Sequence, residues 1–163
     1  MGIDIRVGNG FDIHRFDDAP PEGRVLVLGG VTFPGERTLA GHSDADAVAH
    51  AVADALLGAA GLGDIGSHYP DTDPQWQGAD SVAILRDVVA KVTALGWRVG
   101  NVDCSVVCEM PRIAPAREEM QRILSTAVGA PVSVKGRRAE GLGAIGRAEG
   151  IACFASAVLL KES

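Results

Sequence analysis

The segment GHSDADAVAHAVADALLG at 41–58 constrains this chain more than any other. Its Ala, Val and Leu content predicts a helix over 43–60, with Ser43 as N-cap and Asp46 in the capping-box position three residues later. On that helix Asp46, His50 and Asp54 recur every four residues and share one face. The face is otherwise apolar, and apolar helix faces rarely carry three ionisable groups unless these are paired or bind a metal. Asp46 has a plainer use as the capping partner of Ser43. Asp54 has plainer uses as a partner that orients an imidazole or as a solvated acid.

A second constellation, Asp12-Ile13-His14, lies upstream. In an extended segment residues two apart face the same side, so the carboxylate and the imidazole point together. If the helix packs on the first strand, His50 joins them. Two imidazoles and one carboxylate leave a fourth tetrahedral position open, the pattern of a catalytic zinc site. The same set matches the facial triad of a non-haem Fe(II) oxygenase. A single buried His is ordinarily structural, so the metal reading depends on that strand and helix meeting.

The remaining chain reads as α/β. Strand-like stretches at 3–7 and 24–33 flank a polar, Pro-rich loop, DDAPPEG, at 17–23. The 61–81 segment is too rich in Gly, Pro and Asp for regular structure, and loops of that length are usually functional or mobile. A second helix is predicted over 81–95, with apolar residues at 82, 84, 85, 88, 89 and 92 and Gly96 as its stop. A β segment at 98–110, a breaker at 111–115, a helix at 116–128 and a strand at 131–135 follow. The tail at 150–160 fits helix and buried strand equally. The expected fold class is α/β (α+β): one domain over residues 1–163, with a mixed β-sheet covered by helices on one side.

Composition excludes several roles. A net charge of −6 and a pI of about 5.1 argue against a nucleic-acid surface. An acidic protein that handles phosphates must supply positive charge locally, from an ion, a few placed Arg or Lys, or a helix N-terminus. Cys104, Cys108 and Cys153 are too few for a disulfide framework and do not complete a structural zinc set, so free buried thiols in a cytoplasmic protein are expected. No apolar run approaches the roughly 20 residues of a membrane span, and the N-terminus has no signal-peptide layout, so no membrane partner is expected.

Three further motifs bear on chemistry. Asp64-Ile65-Gly66 and Tyr69-Pro70-Asp71-Thr72-Asp73 offer backbone N–H groups and acceptors to a polyol, or form a solvated turn. The run 135–140, KGRRAE, sets three cations and Glu140 after a strand. Arg and Lys suit phosphate oxygens, and a Glu suits a second, hard divalent ion; a solvated charged loop is the plain alternative. GLGAIG at 141–146 matches GxGxxG literally. Residues 137–140 separate it from the preceding strand and too few residues follow for a βαβ unit, so a dinucleotide site is not expected.

Together GNGFDIHRF (8–16), LGGVTFPGE (28–36), the 41–66 segment, YPDTDPQWQGADS (69–81), GNVDCSVV (100–107), EMPRIAP (109–115) and LGAIGRAEGIA (142–152) resemble the 2-C-methyl-D-erythritol 2,4-cyclodiphosphate synthase family of the non-mevalonate isoprenoid pathway. They span nearly the whole chain in family order. The resemblance implies a homotrimer of α/β subunits around a three-fold axis, active sites between neighbouring subunits, and a strand for the C-terminal stretch. The implied substrate is 4-diphosphocytidyl-2-C-methyl-D-erythritol 2-phosphate. Its 2-phosphate attacks the β-phosphorus and CMP leaves, so no protein nucleophile is needed.

The resemblance also implies residue roles. Asp12, His14 and His50 look like zinc ligands, and Glu140 like the ligand of a second ion, Mg2+ or Mn2+. His42 looks like a transition-state stabiliser beside Ser43. Asp64, Ile65, Gly66, Tyr69, Pro70, Asp71, Thr72 and Asp73 look like the methylerythritol loop. Cys108, Met110, Pro111, Arg112, Ile113 and Ala114 look like the cytidine loop, with Ser43, Arg137, Ala144 and Arg147 also among the substrate-binding positions. Arg147 and Glu149 resemble residues near the three-fold axis. Four positions depart from the family pattern: Arg138 for Thr, Gln77 for Lys, Arg112 for Lys and Ala144 for an aromatic residue. A guanidinium can replace a hydroxyl as a phosphate donor, so Arg138 is placed in the catalytic set. A nucleotide-binding module with a structural metal is the non-enzymatic alternative.

Overall fold

Strand β1 runs Ile3–Arg15, much longer than the 3–7 stretch that residue preference suggests. The extension passes through Gly8 and Gly10, whose missing side chains let a helix backbone approach. A Cβ on Gly10 would stand 2.0 Å from the carbonyl oxygen of Ala51 and 2.6 Å from the amide nitrogen of Ala55. The computed structural model describes residues 2–162. Met1 and Ser163, the ends of the expected 1–163 domain, lie outside the described residues.

A hairpin of β2 (Leu26–Leu28) and β3 (Val31–Phe33) follows β1, in place of the single stretch read over 24–33. Gly29 and Gly30 both have positive φ, 59° and 77°, as a two-residue hairpin turn requires. Helix α1 is Ala47–Ala60 and starts later than predicted. Its N-cap is Asp46, not Ser43, and Asp46 accepts from the amides of Val48 and Ala49. Ala45 has φ 58°, a left-handed conformation that keeps Ser43 outside the helix. The 61–81 segment holds short regular pieces after all, α2 (Ile65–His68) and a 3-10 turn at Pro74–Trp76. Asp64 and Asp73 cap them.

Helix α3 (Ser81–Ala94), strand β4 (Arg98–Val107), helix α4 (Arg117–Val128) and strand β5 (Val132–Arg137) agree with the sequence reading within a few residues. The short helix α5 (Gly143–Gly146) precedes β6 (Gly150–Glu162), so the ambiguous tail is a strand. The GxGxxG match therefore lies between β5 and β6, three residues from each, and does not open a helix directly after a strand.

The main sheet has the order β1-β6-β4-β5, with β4 and β5 parallel and the other pairs antiparallel. It is a mixed sheet in a single α/β domain. Helix α1 lies on β1 and β6, α4 lies on β5, and α3 packs on α1 and α4. Eleven residues of α1 are buried, mostly Ala, which permits the close approach to β1. The opposite sheet face leaves Ile3, Ile5, Val7, Phe11, Ile13 and Phe154 exposed. The three cysteines are free and buried, as expected.

Candidate metal and substrate site

Asp12 and His14 project from β1 on the side that meets α1, opposite Cys153 and Ile151 of β6. His50 is in the first turn of α1. The packing of Gly8 and Gly10 against α1 brings the three side chains together. One ligand atom from each of Asp12, His14 and His50 lies within 4.8 Å of the others. Asp12 Oδ2 is 2.9 Å from His14 Nε2 and 3.2 Å from His50 Nδ1. Zinc bonds of about 2.0–2.1 Å at tetrahedral angles separate ligand atoms by roughly 3.3 Å, so the spacing fits.

The proton positions fit as well. His14 Nδ1 is 2.7 Å from the carbonyl oxygen of Ala40, so it carries the proton and donates. In the neutral ring this leaves His14 Nε2 as a buried lone pair that no donor faces among the described residues. His50 Nε2 is 2.8 Å from Ser81 Oγ and 3.2 Å from Ser43 Oγ. The Ser81 hydroxyl donates to Asp44, so its oxygen accepts from His50 Nε2–H and the Nδ1 lone pair faces Asp12. Three acceptors thus converge in a partly buried site, an arrangement that calls for a cation. Burial acts to raise the pKa of Asp12, but His14 and His50 beside it draw it down to about 2. Burial acts to lower the pKa of His14, but the Asp12 carboxylate outweighs this and leaves it raised.

The triad forms one wall of a cavity of about 500 Å³. His42, Ser43, Ile65, Gly66, Tyr69, Pro70 and Asp71 line it, as expected, joined by Trp76 and Ile84. Asp64, Thr72 and Asp73 do not. Asp64 caps α2, and the Asp73 carbonyl lies 2.9 Å from His42 Nε2. The Tyr69 hydroxyl is bound by Asp87 and by Lys91, which pins the loop to α3. Asp46 and Asp54, read as sharing the His50 face, work elsewhere. Asp46 accepts the Gly29 and Gly30 amides at 2.8 and 2.7 Å, and Asp54 accepts the Ile65 amide at 3.1 Å.

A second cavity is lined by Cys108, Met110, Pro111, Arg112, Ile113, Ala114, Arg137 and Arg138, together with Glu109, Arg117, Lys135 and Gly136. It shares no lining residue with the first. Glu140, Ala144 and Arg147 line neither cavity; Glu140 is exposed, and Arg147 pairs with Glu149 at 2.6 Å. Arg138 pairs with Glu109 at 3.1 Å. Sequence reasoning missed Ser81, Trp76 and Arg117, and gave Glu109 no role beyond its place in the 108–114 loop. Ser81 was legible only as a helix start, since nothing in its spacing announces a contact with His50.

An α/β domain with a two-histidine, one-carboxylate cluster in the wall of a loop-capped cavity is the class of protein that this fold and site define. The YgbB family model matches residues 5–160, and the chain belongs to that family. A 2-C-methyl-D-erythritol 2,4-cyclodiphosphate synthase from Rubrobacter xylanophilus is 56% identical over 96% of this chain and 94% of that protein. A bifunctional enzyme IspD/IspF from Anaeromyxobacter dehalogenans is 53% identical over 98% of this chain. This chain spans only 41% of that bifunctional protein's length. Among solved structures, IspF of Plasmodium falciparum in complex with CDP superimposes with a TM-score of 0.82, at 33% identity over 98% of this chain and 97% of that one.

Proposed function

We propose that this chain, as one domain over 1–163, converts 4-diphosphocytidyl-2-C-methyl-D-erythritol 2-phosphate to 2-C-methyl-D-erythritol 2,4-cyclodiphosphate and CMP. In this step an oxygen of the 2-phosphate bonds to the β-phosphorus, and the bond from the β-phosphorus to the CMP oxygen breaks. The reaction is a phosphorus–oxygen elimination of lyase type and consumes no water. The observation that carries the reading is the convergence of His14 Nε2, His50 Nδ1 and Asp12 Oδ2 on the wall of the loop-capped cavity. The family membership and the names of full-length relatives support it.

The chain's residues have few tasks, because the substrate supplies its own nucleophile. Asp12, His14 and His50 would hold zinc, and Glu140 would hold Mg2+ or Mn2+ together with substrate phosphates. The bound ions supply neutralisation of phosphate charge. Ile65, Gly66 and the Tyr69–Asp73 stretch bind the methylerythritol part, and His42 and Ser43 stand beside the reacting phosphates. The 108–114 loop binds cytidine, and Arg137 and Arg138 face its phosphates. Holding the two phosphates in contact is itself a large part of catalysis.

The proposal includes a homotrimer with its sites between subunits. The exposed apolar sheet face supports it, since isolated domains seldom leave such a continuous patch uncovered. The separation of the triad cavity from the cationic cavity also supports it: a diphosphate substrate needs both, and a neighbouring subunit can bring them together. No helix among the described residues is long and apolar enough to cross a membrane, and three free cysteines suit the cytoplasmic setting proposed here.

The test is to add the diphosphocytidyl substrate to the zinc- and magnesium-loaded protein without oxygen and follow phosphorus NMR. Cyclic diphosphate and CMP in equal amounts are expected. CMP binding with no turnover would instead establish the non-enzymatic alternative, and dependence on iron and oxygen would establish an oxygenase.

A further inference from the structure

The cationic cavity has a single acid in its lining. Arg112, Arg117, Lys135, Arg137 and Arg138 face it with Glu109, in a chain whose net charge is −6. Lys135 is already paired with Asp103 across the β4–β5 pair. Glu109 is engaged on both oxygens. Its Oε1 accepts the Ala139 amide at 2.9 Å, and its Oε2 accepts Arg138 Nε at 3.2 Å and Nη2 at 3.1 Å. Strands β4 and β5 end their ladder at Val107 and Arg137, and the Cys108 amide donates to the Arg137 carbonyl at 3.0 Å. The Glu109 side chain then joins the two segments one step further along. It is mostly buried, while Arg138 is 66% exposed.

We propose that Glu109 is a positioning residue for nucleoside diphosphate binding in this cavity. It ties the 108–114 loop to the 138–140 turn and holds the Arg138 guanidinium by one edge. The Nη1 side of Arg138 stays free to donate to a diphosphate. An exposed arginine must be ordered when it clamps an anion, and one already held by a carboxylate has been ordered beforehand. The Glu109 charge opposes an incoming phosphate, but its bonds to the Ala139 amide and to the Arg138 guanidinium already offset it. Ordering of the loop and of the arginine therefore outweighs repulsion. The inference rests on the proposed reading of this cavity.

The experiment is calorimetric titration of CDP into the full chain, with zinc content and thermal midpoint measured alongside. Glu109→Ala should raise the CDP Kd about tenfold, the scale of one preordered charged contact. Glu109→Gln keeps one acceptor oxygen, enough for the Ala139 amide or for Arg138 but not for both, and should raise the Kd less than Glu109→Ala does. Zinc content should not change in either variant. In an Arg138→Ala background the Glu109→Ala effect should shrink severalfold, because one of its two targets is gone. If Glu109→Ala folds poorly, the same cycle is run with Glu109→Gln, whose smaller rise in Kd should likewise shrink in the Arg138→Ala background. Unchanged CDP affinity in Glu109→Ala overturns the proposal. So does tighter binding in both Glu109 variants, which would leave the residue only its charge. Failure of the unaltered chain to bind CDP would remove the reading of the cavity and the inference together.

Discussion

Ser81 Oγ stands 2.8 Å from His50 Nε2, and the Ser81 hydroxyl is itself bound by Asp44. The relay Asp44–Ser81–His50 fixes which imidazole nitrogen carries the proton. Nδ1 is left to face Asp12 and His14. Such outer partners hold a ligand's orientation and raise its basicity. Ser81 is fully buried at the start of α3, so the relay also ties α3 to the site.

Ser81→Ala should weaken zinc affinity by roughly 10–100-fold, the range for losing such a partner. His50→Ala should lose stoichiometric zinc altogether and with it CMP release. Chelator competition and metal analysis on the folded protein measure both. A folded His50→Ala protein that keeps one zinc per chain would remove the assignment.

Asp46→Ala should be among the most destabilising polar substitutions in the chain. The carboxylate is fully buried and accepts four amides, those of Gly29, Gly30, Val48 and Ala49. Losing the cap costs about 1 kcal/mol, and orphaning the hairpin amides adds about 1–3 kcal/mol each. A total of about 3–7 kcal/mol is expected in urea unfolding, and Asp46→Asn should recover about half. A loss under about 1 kcal/mol would show that water replaces the carboxylate.

That bond network marks where the sequence was silent. The periodicity of 47–60 and of 81–94 was legible because apolar residues recur at helical spacing. The cap was misplaced by three residues because Ser43 and Asp46 are both good caps, and only the left-handed Ala45 decides between them. The Asp12-His14-His50 set was legible from spacing plus one packing assumption. Asp46 and Asp54 share its helical register, but their partners, Gly29, Gly30 and Ile65, come from segments whose meeting no local pattern encodes. Residues 24–33 read as one strand because the Gly29-Gly30 turn interrupts an otherwise β-rich run. The Glu109–Arg138 pair spans 29 residues and follows from β4 and β5 lying parallel.

Gly10→Ala tests the contact that builds the site. Its Cβ would overlap the Ala51 carbonyl and the Ala55 amide, both backbone atoms that cannot rotate away. Overpacking usually costs about 1–3 kcal/mol, and a backbone clash belongs at or above the top of that range. Strand β1 must then move from α1, which separates Asp12 from His50. Stability and zinc affinity should fall together, whereas Gly63→Ala, where a Cβ meets nothing but φ is 88°, should cost stability and leave zinc binding intact. Full zinc affinity in a destabilised Gly10→Ala protein would show that the site tolerates a wider strand–helix gap.

Cys108 gives the chain a stability loss in alkali. Burial, with the negative charges of Glu109 and Glu36 nearby, pushes its thiol up to about 11. In the unfolded chain a thiol titrates at about 8.5–9. The folded state therefore holds the proton more tightly, and its advantage is fully present below pH about 8.5. As pH rises from there towards about 11, the unfolded chain ionises first and the advantage drains away. The slope reaches at most about 1.4 kcal/mol per pH unit, so about 2–3 kcal/mol is lost across the window. Other groups also titrate there, so the comparison must be made against Cys108→Ala. Urea unfolding at pH 8 and pH 10.5 should show the unaltered chain losing about 2 kcal/mol more than the variant. The same thiol should react slowly with iodoacetamide at pH 8 in the folded protein and rapidly in urea, because both its protonation and its burial protect it. Identical pH slopes for the two proteins would mean that Cys108 ionises in the folded state as readily as in the unfolded chain.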